Sequence, residues 1–204
     1  MHRFSGKALF IIADISGYTK FMIANKSTIS RSQMIIVELI KTIIEHLHMP
    51  LKIAKLEGDA VFLYALKDTD DKEWDSLRCC IGEKLISFFD IFSERIQELS
   101  NSILCEGDSC KIIDRLRVKI IVHFGNADVI EIGEFKEISG IDVILVHRLL
   151  KNTLKANEYI LMTEEGFKEI MFPQIICITR GTEHYSDIGE VHTLAYFPSD
   201  VTIS

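Results

Sequence analysis

The segment Leu9–Phe21, LFIIADISGYTKF, carries the first chemistry in the chain: an apolar run ends in Asp14, and a Gly17-Tyr18-Thr19 turn follows. A carboxylate at the end of a buried strand, with a glycine just after it, can hold a cation beside backbone N–H groups that face phosphate oxygens. A second acid, Asp59, closes the segment Lys55–Asp59, KLEGD, where Gly58 permits a tight turn and sets Asp59 across a hairpin from Asp14. Two carboxylates meeting at one point bind Mg²⁺ or Mn²⁺. Aspartates also serve turns by accepting from backbone N–H groups, so the spacing alone leaves both roles open.

The elements that must position these acids follow from periodicity. Ala8–Ala13 is a continuous apolar run, expected as a strand buried on both faces and ended by Asp14. From Ser30 to His48, Met34, Val37, Ile40, Ile44 and Leu47 recur at spacings of three and four, which predicts a helix with that face inward and Pro50 behind it. Leu51–Leu56 and Ala60–Leu66 read as the two strands of the hairpin that carries Asp59. Trp74 to Leu99 keeps helical period throughout and predicts the longest helix, with its stripe as core. Ser100–Asp114 reads as a loop and Leu116–Phe124 as a strong strand, with Asn126–Ile132 pairing back onto it through a turn at Gly125-Asn126. A helix from Asp142 to about Ala156, a strand at Tyr159–Met162, a capped helix at Thr163–Met171 and strands at Ile175–Ile178 and Val191–Phe197 complete the order. Hairpins set between helices predict a ferredoxin-like α+β sandwich, and 204 residues fit one domain, residues 1–204.

Composition narrows the function. The formal net charge is −7 with lysines and arginines scattered, which argues against a nucleic-acid partner. No apolar run reaches the ~18 residues of a membrane span, and the polar Met1–Ser5 does not open a secretory signal, so the expected location is the cytoplasm, with no membrane partner. The five cysteines, Cys79, Cys80, Cys105, Cys110 and Cys177, form no zinc-like pair and are expected as thiols, with Cys105 and Cys110 spaced for a labile disulfide or half of a shared metal site as the alternatives. His123 and His147 lie near core segments, where hydrogen bonding to the surroundings is the expected fate.

The two aspartate segments resemble the class III nucleotidyl cyclases, the adenylate and guanylate cyclases, whose FxDIxGFT and KxxGD motifs supply metal aspartates and a purine-reading lysine. A third segment, Glu137–Arg148, aligns without a gap on the same family's run of acid, glycine, asparagine and arginine. The three motifs stand in the family's order, and the block from Gly140 to Asn152 is similar to an uncharacterised bacterial branch of cyclase-like proteins. The resemblance implies the cyclase catalytic fold, a Mg²⁺ or Mn²⁺ cofactor on Asp14, Asp59 and the Ile15 carbonyl, and phosphate contacts at Gly17, Tyr18 and Thr19. It further implies purine contacts at Lys55 and Glu137, and Arg148 as the catalytic arginine that meets charge on the α-phosphate. The implied partner is a purine nucleoside triphosphate. Because the family shares each site between two chains, the resemblance also implies a homodimer, or a heterodimer with a complementary cyclase chain.

Two positions depart from the family. Ile144 stands where the family has asparagine, and a loose alignment puts Ile188 at the triphosphate lysine, with acidic Asp187 and Glu190 nearby. Losing one preorganised donor costs roughly 3 kcal/mol of transition-state stabilisation, or ~10² in rate. The reading that results is a cyclase-like signalling domain that binds metal and nucleotide with weak or absent turnover. The alternatives are an active cyclase and a ferredoxin-like ligand-sensing module.

Overall fold

The computed structural model describes residues 3–68, 70–102, 110–133 and 135–198. The chain order is β1 (Arg3–Ser16), α1 (Tyr18–Ala24), α2 (Ile29–Leu47), β2 (Lys52–Glu57), β3 (Ala60–Leu66), α3 (Asp71–Ser100) and α4 (Cys110–Ile113). It continues with β4 (Arg117–Ile132), β5 (Phe135–Ser139), α5 (Ile141–Arg148), β6 (Tyr159–Thr163), α6 (Glu164–Glu169), β7 (Thr179–Tyr185) and β8 (Gly189–Tyr196). The strands form one mixed sheet in the order β2-β3-β1-β4-β6-β8-β7, with β5 folded back on β4 and β4–β6 the parallel pair.

The inner strand β1 is apolar on both faces because both faces are covered. Ala8 to Ala13 are fully buried; Leu9, Ile11 and Ala13 join the core under α2 and α3, and Ala8, Phe10 and Ile12 join the core under α5. Each fully buried Leu, Ile or Phe is worth about 1.5–3 kcal/mol relative to exposure, so this strand is anchored from two sides. Helix α3 is started by the Asp70 carboxylate, which accepts from the Glu73 N–H, and it buries Trp74, Ile81, Leu85, Phe88, Phe92, Ile96 and Leu99, as their period predicts.

The structure corrects the sequence expectations in several places. Strand β1 runs two residues past Asp14, pairing Ile15 with Val118 and Ser16 with Arg117. Helix α2 turns a different face inward: Ile35, Ile36, Leu39, Ile43 and Leu47 are buried, while Met34 and Val37 are about half exposed, because its apolar residues form two adjoining stripes that compete for the core. Gly125-Asn126 is no turn, since β4 continues unbroken for 16 residues and these two pair with Ala8 and Lys7. The strand that turns back on it is β5, which takes in Glu137 of the third motif. Helix α5 stops at Arg148 in a short 3₁₀ turn, Leu149–Lys151, instead of reaching Ala156, as the Asn152 side chain donates to the Leu149 carbonyl and to Tyr159 Oη. No strand forms at Ile175–Ile178, and the strand lies later, at β7, facing β8. The expected Ser100–Asp114 loop contains α4; Cys105 lies outside the described residues, as does the Cys110 side chain, while Cys79, Cys80 and Cys177 are free thiols.

Gly125 is required by close approach. A Cβ there would fall 2.3 Å from Asp142 Cγ, and that carboxylate is fixed: Oδ2 accepts from the Asn126 N–H at 2.5 Å, and Oδ1 lies 3.2 Å from His123 Nε2. It cannot swing away without giving up both contacts. Gly125→Ala is therefore expected to destabilise by about 1–3 kcal/mol, lowering the melting temperature by roughly 2–10 °C; an unchanged melt would show that α5 shifts freely.

Candidate functional site

The antiparallel register of β1 and β3 sets Asp14 opposite Ala60, so the β2–β3 turn delivers Asp59 next to Asp14, and the Ile15 N–H donates to the Asp59 carbonyl at 3.1 Å. Beyond Ser16 the chain reverses at Gly17, whose φ of 91° lies in the left-handed region that favours glycine. Helix α1 then starts at Tyr18, leaving its first N–H groups without intrahelical acceptors. These pieces enclose a cavity of about 620 Å³ lined by Asp14, Ile15, Gly17, Tyr18, Thr19 and Asp59 together with Lys20, Arg115 and Lys119. Six of the nine residues named for the site in the sequence thus share one cleft.

The electrostatics of the pair are those of two acids sharing a small space. Burial, and then the Asp14 carboxylate, push the Asp59 carboxyl above the usual carboxylate range, against its own backbone hydrogen bond and Lys119, which pull it down. The Lys119 ammonium stands 2.9 Å from Asp14 Oδ2, with the two side chains only 21% and 16% exposed. Sequence reasoning missed Lys119. Its signal was a lysine within the otherwise apolar VKIIV of β4, directly opposite Asp14 in register.

The donor set fits a hard divalent cation. Carboxylate and carbonyl oxygens are the ligands Mg²⁺ and Mn²⁺ prefer, and Asp14 already draws a cationic group to its oxygens. Among the described residues no group of three or more His, Cys, Asp or Glu side chains could hold a metal, so protein carboxylates supply two ligands at most here.

The remaining named residues lie elsewhere. Lys55 on the edge strand β2 and Glu137 on β5 are exposed, and neither lines the cleft; nor does Arg148. Arg148 Nη2 pairs with Asp187 Oδ2 at 2.5 Å, both side chains nearly half exposed. Ile144 is 54% exposed on α5, and Ile188 sits half-buried in the β7–β8 turn, its N–H donating to the Tyr185 carbonyl. His123 is buried, its Nδ1 2.8 Å from Thr163 Oγ1, and burial pushes its pKa down. His147 Nε2 lies 3.2 Å from Glu57 Oε2 and its ring meets Phe62 edge-on. Both histidines are thus held by their surroundings, as expected.

The fold defines a class. The chain superposes over its whole length on the adenylyl cyclase CyaB from P. aeruginosa, with a TM-score of 0.68 at 16% identity and full coverage of that chain. The guanylyl cyclase Cya2 aligns at 0.63 and 11% identity, over 96% of this chain and 94% of its own. The guanylate cyclase domain of RhGC from Catenaria anguillulae, in complex with GTP, aligns at 0.60 and 13%, over 96% and 98%. The architecture is that of the class III nucleotidyl cyclase catalytic domain. Within it, residues 36–159 match the family described as "Protein of unknown function (DUF2652)", and the chain belongs to that family. The "Uncharacterized protein Rv2561/Rv2562" of Mycobacterium tuberculosis is 31% identical over 150 residues, which make up 70% of this chain and 64% of that relative, just under two thirds of its length.

Asp59 gives the site a testable pH signature. Because its folded pKa is raised, the folded chain holds that proton more tightly than the unfolded chain, so stability falls as pH rises from the ordinary carboxylate value through the raised one. Asp59→Asn is expected to melt higher than the parent at neutral pH, with the difference closing as the pH drops below the ordinary carboxylate range. A parent and variant with the same melting curve from acid to neutral pH would contradict the coupling of Asp59 to Asp14.

Proposed function

We propose that this chain is one cyclase-fold signalling domain that binds a divalent cation and a purine nucleoside triphosphate in the Asp14–Asp59 cleft, with little or no turnover. The observation that carries the reading is the convergence of two half-buried carboxylates and the Gly17–Thr19 turn on a single cavity. Asp14, Asp59 and the Ile15 carbonyl would hold Mg²⁺ or Mn²⁺. When bound, the ion supplies charge neutralisation at the phosphates and, in a turning-over site, activation of the ribose 3′-oxygen. The chain's own part is to fix the acids by the β1–β3 register, to present unpaired N–H groups at the Gly17–Thr19 turn and to keep Asp59 shielded from water.

Lys55, Glu137 and Arg148 lie outside this cleft, so in this reading they serve the cleft of a second copy. The arrangement is a head-to-tail homodimer, or a heterodimer with a chain that supplies the missing asparagine and lysine. Exposed Leu56 on β2 and Ile141 and Ile144 on α5 contribute little to the core and favour a covered surface there. The reduction in turnover rests on Ile144 and on Arg148, which is held by Asp187. The cytoplasm, where Mg²⁺ and nucleotides are plentiful, suits this activity. A GTP-bound structural relative makes GTP a natural first ligand to try.

Incubating the protein with Mn²⁺ and each of the four NTPs, and following binding beside cyclic product, tests the reading directly. Binding with slow or absent product is expected, and Asp59→Ala should abolish Mn²⁺-dependent binding without loss of fold. Ile144→Asn is expected to raise any residual rate by about 10-fold or more, with dimerisation seen by light scattering in Mn²⁺ and NTP. Unchanged nucleotide binding by Asp59→Ala would sink the metal site, and fast product from the parent would establish the active cyclase instead.

A further inference from the structure

The path of the sheet ends in β2 on one side and in β7 on the other, and the chain treats these two edges differently. An open strand edge presents a row of unpaired N–H and C=O groups that an extended chain can join, so edges are guarded by lysines, proline, a bulge or an inward charge. Strand β2 is guarded twice: it carries Lys52 and Lys55, and its register on β3 shifts between Ile53 and Lys55. Strand β7 pairs with β8 in unbroken register and has no strand on its outer side among the described residues. Neither Lys nor Pro occurs from Ile175 to Tyr185. The inward charge of β7, Glu183, lies toward the hairpin and accepts from the Thr153 N–H and hydroxyl, while Arg180 is turned to Glu164 on α6. Thr179 to Thr182 are left exposed.

Immediately before β7 stands the run Ile175-Ile176-Cys177-Ile178, whose β-branched residues suit a strand and form none in the single chain. Ile175 is 102% exposed, more than any other large apolar residue described, and Cys177 is an exposed thiol. The run is held at both ends: the Met171 N–H donates to the Arg78 carbonyl on α3 at 3.4 Å, and Thr179 opens the pairing with Ala195. A segment held in this way gives up little further freedom when it pairs.

The partner these features fit is a second copy. Two identical edges related by a two-fold axis run antiparallel, so the donors of each meet the acceptors of the other, and each copy brings both an open edge and a strand-forming run. With the axis at Thr179, Ile178, Cys177, Ile176 and Ile175 of one copy stand opposite positions 180 to 183 of the other. Arg180 then faces Ile178 and Glu183 faces Ile175, so no like charges are opposed. We propose that the outer edge of β7, extended by Ile175–Ile178, is an antiparallel docking surface for a second copy of this chain, joining two sheets into one by strand addition. It lies at the end of the sheet path away from β2 and uses neither nucleotide nor metal, so it stands apart from the head-to-tail pairing described above.

The full chain, without Mn²⁺ or nucleotide and with a thiol reductant, is followed across concentration by light scattering and by hydrogen exchange of its backbone amides. Dimerisation is expected, with the added protection confined to Ile175–Tyr185. Ile175→Lys combined with Cys177→Lys guards this edge as β2 is guarded. Both positions are exposed, so the melting temperature should hold, while the dissociation constant of the edge-to-edge dimer rises about 10-fold or more, each change being felt twice under the two-fold axis. A chain that stays monomeric up to its solubility limit overturns the proposal, as does a dimer seen only without reductant or unchanged pairing in the double-lysine variant. If the added protection falls on β2 and α5 instead, or if Ile144→Lys and not the double-lysine variant releases the dimer, the proposal fails and the head-to-tail pairing stands.

Discussion

The structure depends on keeping two carboxylates side by side at the end of a strand buried on both faces. Like charges held close in a half-dry setting repel more strongly than in water, and the Asp59 pKa is raised by burial first and by that repulsion second. The pair persists because the backbone leaves it no alternative. Asp14 follows six fully buried residues that are covered on both faces, and Asp59 sits on a hairpin fixed to the same strand through continuous antiparallel pairing. Separating the acids would mean slipping a register, which would turn the inward residues of β3 out of both cores. The fold thus imposes an electrostatic cost at one point, and Lys119 offsets part of it from the third strand.

That dependence explains what was legible in the sequence. Asp14, Gly17 and Asp59 could be read because each lies at the end of a strong local pattern, a buried run or a hairpin turn, and local patterns fix the ends of elements. Lys119 could not, because its meaning comes from pairing with a strand more than a hundred residues earlier. The unbroken β4 was misread for a related reason. Gly125-Asn126 has turn chemistry, but the glycine is there to admit the Asp142 carboxylate, a tertiary contact that no local propensity reports. The inward face of α2 was misjudged because Met34 and Val37 have the same spacing and apolar character as the true core residues. When apolar residues fill two adjoining stripes of a helix, period alone does not choose between them.

The side chains outside the cleft differ from those inside in how firmly they are held. The Asp14–Lys119 pair is mostly shielded from water, whereas Arg148 and Asp187 are nearly half exposed. Exposed pairs of that kind are worth about 0–1 kcal/mol, so Asp187 restrains Arg148 without committing it, and a docking surface with its own carboxylate or phosphate could take the arginine over at little cost. The nearby phenol of Tyr185, pushed up to about 12 by burial and by the Glu183 carboxylate, stays neutral throughout the physiological range and adds no competing charge.

Ile144 then bears on what kind of domain this is. An exposed isoleucine on a helix does little for folding, since its apolar surface stays in water; 54% of it does so here. In the dimer proposed above, the same residue changes two quantities in opposite directions. Replacing a donor forfeits roughly 3 kcal/mol of transition-state stabilisation, while burying the exposed half of an isoleucine against a second copy contributes up to about 1–1.5 kcal/mol, or roughly 5- to 10-fold in association. Neighbouring Ile141, 77% exposed, adds to the association side and nothing to the chemistry, and the two isoleucines together approach the size of the loss. A helix that offers apolar area where a transition-state donor is expected fits a domain whose output is assembly governed by an occupied cleft, more than one whose output is product.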